Sequence, residues 1–205
     1  MSAGDSIVYV VDDDLSSRQS LELLIRASGF NVRAFASARE FLAFPHPDLP
    51  SCLVLDVRMP GLTGLELQRE LARTGVSFPI IFMTGHGDIP MSVAAMKAGA
   101  MEFLTKPFRE GDMTRAIALA IERDRHALQE RLEREGLRQR HTRLTPRERE
   151  VMASVVRGLL NKQVADELGA SEKTIKVHRA RVMQKMEAES LADLVRMSEK
   201  LAEKG

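Results

Sequence analysis

Over its first 120 residues the chain alternates short aliphatic and β-branched runs with stretches of helical periodicity, five times in succession. Strands buried on both faces read as near-continuous apolar runs, and a helix between each pair makes the sheet parallel. The first candidate strand is 7–11 (IVYVV). Leu21, Leu24 and Ile25 then give one apolar face to a helix over 16–28, and Gly29 suits the position after its end. A weaker strand over 31–36 is followed by a short helix over 37–44, which Pro45, Pro47 and Pro50 end. Strands over 52–55, 78–83 and 101–104 alternate with helices over 64–73 and 89–98. The fold class implied is α/β, a doubly wound five-stranded parallel sheet. Ligands of such sheets sit outside the carboxyl ends of the strands.

The chemically interesting residues fall at those strand ends. Strand one runs into Asp12, Asp13 and Asp14, strand three into Asp56, strand four into Thr84 and Gly85, and strand five into Lys106 and Pro107. Carboxylates converging in one place repel and raise one another's pKa. A hard divalent cation relieves this, and oxygen ligands with retained waters suit Mg²⁺, for which Mn²⁺ can substitute. A lysine opposite can bind a phosphoryl oxygen as a point charge, and a threonine can donate to another. An aspartate beside a metal is a plausible phosphoryl acceptor. Plainer roles apply to several neighbours. Asp14, with Ser16 as its rival, reads as a helix N-cap; Phe82, Phe108 and Cys52 read as core. His86 is a poor ligand for Mg²⁺, and Gly87 would let its loop flex.

The motifs VVDDD, LDVRMPGLTG, MTGHGD, MKAGAMEFL and TKPF resemble the receiver domain of two-component response regulators over roughly residues 6–122. The resemblance implies a flavodoxin-like sheet with Asp56 as phosphoryl acceptor. It implies that Asp13, Asp56 and the main-chain carbonyl of Arg58 ligate Mg²⁺, with Asp12 holding a metal-bound water. Thr84 and Lys106 would bind phosphoryl oxygens, Phe103 would be the aromatic switch, and the Lys106-Pro107 bond would be cis.

Residues 110–141 read as one long charged helix. Met113, Ile117, Ala120 and Ile121 suit packing on the receiver. Beyond them Leu128 and Leu132 are four apart, but Asp124 and Glu135 interrupt a seven-residue seam. A solvated signalling helix fits better than a paired coiled coil, which stays open as an alternative. Glu130 and Arg134 form a supporting i, i+4 pair.

The charge changes sign along the chain. Residues 1–120 hold 11 Lys/Arg against 14 Asp/Glu, and residues 121–205 hold 19 against 15, so the overall +1 is a cancellation. In the basic part Thr145, Pro146 and Glu148 make a helix start with a capping box. Asn161 is the expected cap of a second helix, which Gly169 ends, and Ser171 that of a third. Helix, glycine turn, helix is a helix-turn-helix signature. The third helix, 171–186, carries Lys173, Lys176, Arg179, Arg181 and Lys185 against Glu172 alone, with Ile175, Val182, Met183 and Met186 as its apolar stripe. Segregated positive charge there points to DNA. LTPREREV and GLLNKQVADELGASEKTIKVHRARVMQKM, with the helix over 190–201, resemble the LuxR/NarL-type DNA-binding domain. By that resemblance Lys176 and Val177 would face bases, while Lys173, Thr174, His178 and Arg181 would meet phosphates, with Arg179 beside them. Leu191, Leu194, Val195 and Met197 would make a dimer contact, or simply core.

The expected division is a receiver over 1–122, a helical linker over 123–142 and a four-helix DNA-binding domain over 143–205. GHGDIPMSVAAMKAGA especially resembles the FixJ-like branch of the family. The implied protein is a non-enzymatic transcriptional regulator, phosphorylated by a sensor histidine kinase, dimeric when phosphorylated, bound to promoter DNA and in contact with RNA polymerase. A polar N-terminus, no apolar run near the ~20 residues of a membrane span and a single cysteine suggest a cytoplasmic chain that binds no membrane. Two other readings share its features. One is a Mg²⁺-dependent aspartyl-phosphate hydrolase, which leaves the basic helices unexplained. The other is a DNA-binding dimer indifferent to phosphorylation, which leaves the acidic site unexplained.

Overall fold

The structure is a computed structural model that describes residues 6–74, 78–85 and 89–202. The chain divides into two compact units, Met1–Leu128 and Gln129–Gly205.

The first unit is the expected five-stranded parallel sheet. Strands β1 (Ile7–Val11), β2 (Asn31–Phe35), β3 (Ser51–Asp56), β4 (Ile80–Thr84) and β5 (Glu102–Thr105) alternate with helices α1 (Leu15–Ala27), α2 (Ala38–Ala43), α3 (Gly64–Thr74) and α4 (Ile89–Lys97). The strand order is β2-β1-β3-β4-β5, so the order reverses beside β1. Ends of β1 and β3 are thereby neighbours, with Val11 opposite Leu55. Period-two alternation sorts the side chains into two cores. Tyr9, Val11, Leu53, Leu55 and Phe82 face one side, with Phe41 of α2 and Leu67 and Leu71 of α3. Val8, Val10, Cys52, Val54, Ile81 and Met83 face the other, against Leu21 and Ile25 of α1 and Met113, Ile117 and Ile121 of the long helix α5 (Glu110–Thr142). Cys52 is buried as expected, and burial pushes its thiol far above the usual range.

Local signals set the boundaries. The Asp14 carboxylate accepts from Ser17 N at 2.7 Å and caps α1; Ser16 does not take that role. Two strands start later than the sequence pattern implies. Phe78, placed in strand four by its hydrophobicity, precedes β4 and packs edge-on to Tyr9 and Phe41 instead. Met101 likewise stands before β5, although its N–H reaches Ile80 O at 2.8 Å.

The second unit is all helix: the last turns of α5, then α6 (Pro146–Val156), α7 (Asn161–Leu168), α8 (Glu172–Met186) and α9 (Leu191–Ala202). Residues 129–142, read as linker from their charge, fall in this unit, and Leu137 is buried in its core beside Leu144, Val151, Ile175 and Leu194. Thr145 and Glu148 form the expected capping box, with Thr145 N to Glu148 Oε2 at 2.8 Å. Asn161 is not the cap of α7. Leu160 occupies that position, Asn161 is the first helical residue, and Gln163 Oε1 reaches back to Leu160 N at 2.8 Å. Gly169 ends α7 at φ 62°, a left-handed conformation that L side chains adopt only at a cost, and Ser171 caps α8.

Candidate functional site

In the first unit, the buried carboxylate of Asp12 directly follows β1, that of Asp56 ends β3, and Lys106 follows β5. Lys106 N donates to Thr84 O at 2.7 Å, which ties the ends of β4 and β5. Its Nζ sits 2.8 Å from Asp12 Oδ2 and 3.1 Å from Asp56 Oδ1, and also donates to Ser17 Oγ at 2.9 Å. The Lys106-Pro107 bond is cis, as the resemblance implied. Residues far apart in sequence thus meet through one ammonium. Each carboxylate is held further by backbone. Asp56 Oδ2 accepts from Arg58 N at 2.9 Å, and Asp12 Oδ1 accepts from Asp14 N at 2.9 Å. Thr84 is 1% exposed at the end of β4. Phe103 is half-buried, its ring centroid 6.3 Å from that of Phe82. His86 and Gly87 lie outside the described residues.

The electrostatics follow from burial. Desolvation pushes the Asp56 carboxyl above the ordinary carboxylate value, the Lys106 ammonium draws it back, and the Asp12 charge adds to the rise. Desolvation works to lower Lys106, but its hydrogen bonds and attraction to Asp12 and Asp56 outweigh it and hold that pKa above the ordinary value. Both values are raised, for opposite reasons: burial and the like charge of Asp12 disfavour the Asp56 carboxylate, whereas the two opposite charges favour the Lys106 ammonium.

Asp13 is exposed at the rim; its main-chain carbonyl, like that of Asp12, accepts from Arg18 Nη1. The donor set of Asp12, Asp13, Asp56 and the Arg58 carbonyl is all oxygen, which suits a hard cation. Among the described residues no three His, Cys, Asp or Glu side chains close into a protein-only cage.

Three contributors were not singled out from sequence. Ser17 enters the pocket through its hydroxyl. Arg18 holds the carbonyls of the acidic turn. Gly64 opens α3 so close to β3 that a Cβ would stand 2.3 Å from Asp56 O. Placing Asp14 at the cap would have put Ser17 at the third helical position, facing back to the acids; nothing in the sequence signalled Gly64's contact. A Cβ at Gly85 would meet no described atom within 4 Å.

In the second unit α8 presents the candidate nucleic-acid face. Ile175, Val182 and Met186 are buried. At about 100° per residue, Lys173, Val177, Ala180 and Gln184 stand opposite them, flanked by Lys176 on one side and Thr174 and Arg181 on the other. Lys173, Thr174, Lys176, Val177 and Arg181 are all exposed. Thr174 also completes the cap, its N–H donating to Ser171 Oγ at 3.1 Å. His178 and Arg179 are half-buried, and Arg179 Nη1 donates to Asn161 Oδ1 at 3.2 Å, bracing α8 on α7. The Nδ1 of His178 is buried without a hydrogen-bond partner among the described residues. Lys185 is directed inward: its Nζ lies 2.6 Å from Glu148 Oε2, and Glu148 is 2% exposed. On α9, Leu194 is fully buried and Met197 packs beside it in the core, which leaves Leu191 the most exposed of the four apolar residues expected there to meet a partner.

Family comparisons agree with both halves. Residues 8–118 match the response regulator receiver domain, and residues 142–198 match the bacterial regulatory proteins of the luxR family. The chain belongs to the two-component response regulators. Nodulation protein W of Bradyrhizobium diazoefficiens is 55% identical over 96% of this chain and 86% of that protein. The transcriptional regulatory protein FixJ of the same species is 45% identical over 93% of each chain. Among solved structures, the response regulator StyR superposes with a TM-score of 0.88 at 48% identity, over 96% of this chain and 100% of that one. The chain is therefore a FixJ-like regulator with a receiver and a LuxR-type DNA-binding domain, and its role is transcriptional regulation. Among the described residues no helix is long and apolar enough to cross a membrane.

Proposed function

We propose that this response regulator accepts a phosphoryl group on Asp56 from a sensor histidine kinase, and that phosphorylation promotes dimerisation and promoter binding through α8. The observation that carries the reading is the single ammonium of Lys106 joining Asp12 and Asp56 at the switch point of the sheet. A carboxylate oxygen of Asp56 attacks phosphorus. The P–N bond to the donor imidazole breaks, and its electron pair leaves with the nitrogen. Lys106 then balances the new charge on one phosphoryl oxygen, and Thr84 donates a hydrogen bond to another. Asp13, Asp56 and the Arg58 carbonyl would hold Mg²⁺, or Mn²⁺ in its place, with Asp12 beside them, and the cation would supply charge neutralisation at those oxygens. Arg58 N and Lys106 keep Asp56 oriented before transfer.

The acyl phosphate adds charge and acceptor oxygens. Thr84 shifts toward them, Phe103 turns inward, and a receiver state favoured only by those contacts gains population. The chemistry consumes the donor once per chain, so the protein acts as a regulator and not as an enzyme. On DNA, Lys173, Lys176 and Arg181 are the exposed cations for phosphates and base edges, with Thr174 and Val177 on the same face. The leading partners are the kinase, promoter DNA, RNA polymerase and a second copy of the chain, all in the cytoplasm. The test is labelling by acetyl phosphate with Mg²⁺, read by intact-protein mass. The chain should gain one phosphoryl group and Asp56→Asn none; stoichiometric labelling of the variant would reject the acceptor assignment.

A further inference from the structure

We infer that Ser17 is a positioning residue of the phosphoryl-transfer site, a neutral third anchor for the Lys106 ammonium. The inference rests on the phosphoacceptor reading above. An ammonium has three donors and no acceptor. All three of Lys106 are engaged, at 2.8 Å with Asp12 Oδ2, 2.9 Å with Ser17 Oγ and 3.1 Å with Asp56 Oδ1. Because lysine cannot accept, the Ser17 hydroxyl must accept from it. The hydroxyl proton is then directed to Asp12 Oδ2, 2.6 Å away. Proton placement in this triangle follows from the donor and acceptor inventory alone.

The anchor is held from outside the pocket. Ser17 N donates to the capping carboxylate of Asp14 at 2.7 Å, and Arg18, the next residue, grips the carbonyl of Asp12 at 2.7 Å. The first turn of α1 is thereby fixed to the acidic turn, and the hydroxyl sits at a defined place. Its contact differs in kind from the other two. Asp12 and Asp56 are the groups whose charge environment changes when cation and phosphate arrive, so Lys106 must redistribute between them. Ser17 carries no charge and keeps its bond throughout, so it serves as the pivot on which the ammonium turns from carboxylate to phosphoryl oxygen. It also keeps Asp12 Oδ2 partnered when Lys106 turns away. Without it, Lys106 is set only by two competing carboxylates, and its approach to phosphorus is less defined.

The test compares the unaltered full-length chain with Ser17→Ala and Ser17→Thr. Without metal, the ¹⁵N signal of the Lys106 ammonium, assigned by its loss in Lys106→Met, reports solvent exchange. Ser17→Ala should speed that exchange several-fold, and Ser17→Thr, which keeps the hydroxyl, should restore it. With acetyl phosphate, the plateau labelling rate should fall about tenfold in Ser17→Ala, the scale of one hydrogen bond to a charged group. Half-saturating acetyl phosphate should be unchanged, and Ser17→Thr should recover the rate. Exchange and plateau rate both unaltered in Ser17→Ala would overturn the assignment, as would loss without recovery in a folded Ser17→Thr. Failure of the unaltered chain to take up phosphate would instead overturn the phosphoacceptor reading, and this inference with it.

Discussion

Gly64→Ala puts the construction of the acidic pocket under the most stringent test. Gly64 opens α3, and its N–H donates to Val57 O at 3.1 Å. A Cβ there would lie 2.3 Å from Asp56 O and 3.1 Å from Val57 Cα, where ordinary contact begins at 3.4 Å. One element must therefore move by roughly 1 Å, and both obstructing atoms are backbone. The end of β3 is the harder to shift, because Asp56 is paired with Met83 and Val57 N donates to Met83 O at 3.0 Å. Displacing α3 sacrifices the Gly64–Val57 bond. Overpacking costs about 1–3 kcal/mol and the lost bond about 1 kcal/mol, against at most about 1 kcal/mol gained from alanine's helix propensity. Net destabilisation of the receiver by about 1–3 kcal/mol follows. A misplacement near 1 Å at a reacting group can reduce rate by ~10², so labelling should slow by more than the stability loss alone would suggest. Urea unfolding and acetyl phosphate labelling of the same preparation measure both. Unchanged stability together with a labelling rate within twofold of the unaltered chain would refute the close-approach argument.

Three further outcomes concern the DNA-binding unit. Its hydrogen bonds from Lys185 and from Thr145 N hold the Glu148 carboxyl below the usual range, so this pair stabilises the fold above the unfolded carboxylate pKa of about 4.3, and the stabilisation is lost as pH falls through the lowered folded value. Glu148→Gln should thus cost about 1–2 kcal/mol at neutral pH, read by urea unfolding of the full chain at the Val151 and Val155 methyl signals, with the deficit shrinking in acid; a pH-independent deficit would contradict it. On DNA, Lys176→Ala should lose roughly 1–3 kcal/mol of specific binding if it reads a base. Lys185→Met, whose cation is already engaged by Glu148, should leave the salt slope of binding unchanged, and a shallower slope would show that Lys185 does meet phosphate.

Much of this was legible in the sequence because it is written in local or periodic signals. The five apolar runs mark the sheet, and strand-end placement alone collects Asp12, Asp56, Thr84 and Lys106. Thr145-Pro146-Glu148 gave the start of α6 through capping chemistry. What escaped depends on contacts that no periodicity encodes. Phe78 is as apolar as a strand residue, but packing with Tyr9 and Phe41 uses it ahead of β4. Charge along residues 123–142 suggested a solvated linker, yet within it Leu137 is buried in the second core and Arg140 donates to Met186 O at 3.1 Å. On α8 five cations look equivalent in sequence, and only the fold shows that Lys185 answers the buried Glu148 while Arg179 braces Asn161. Ser17 was hidden for a similar reason: its partners lie 5 and 89 residues away.

The central claim is that charge placed on Asp56 controls what α8 does on DNA. Its most direct test is footprinting on promoter DNA with the full-length chain, unphosphorylated, phosphorylated by acetyl phosphate, and as Asp56→Asn given the same treatment. The account predicts a protected two-half-site operator that appears at substantially lower protein concentration only for the phosphorylated, unaltered chain. Equal protection by all three samples would contradict it and would mark a DNA-binding protein that does not consult its acidic pocket.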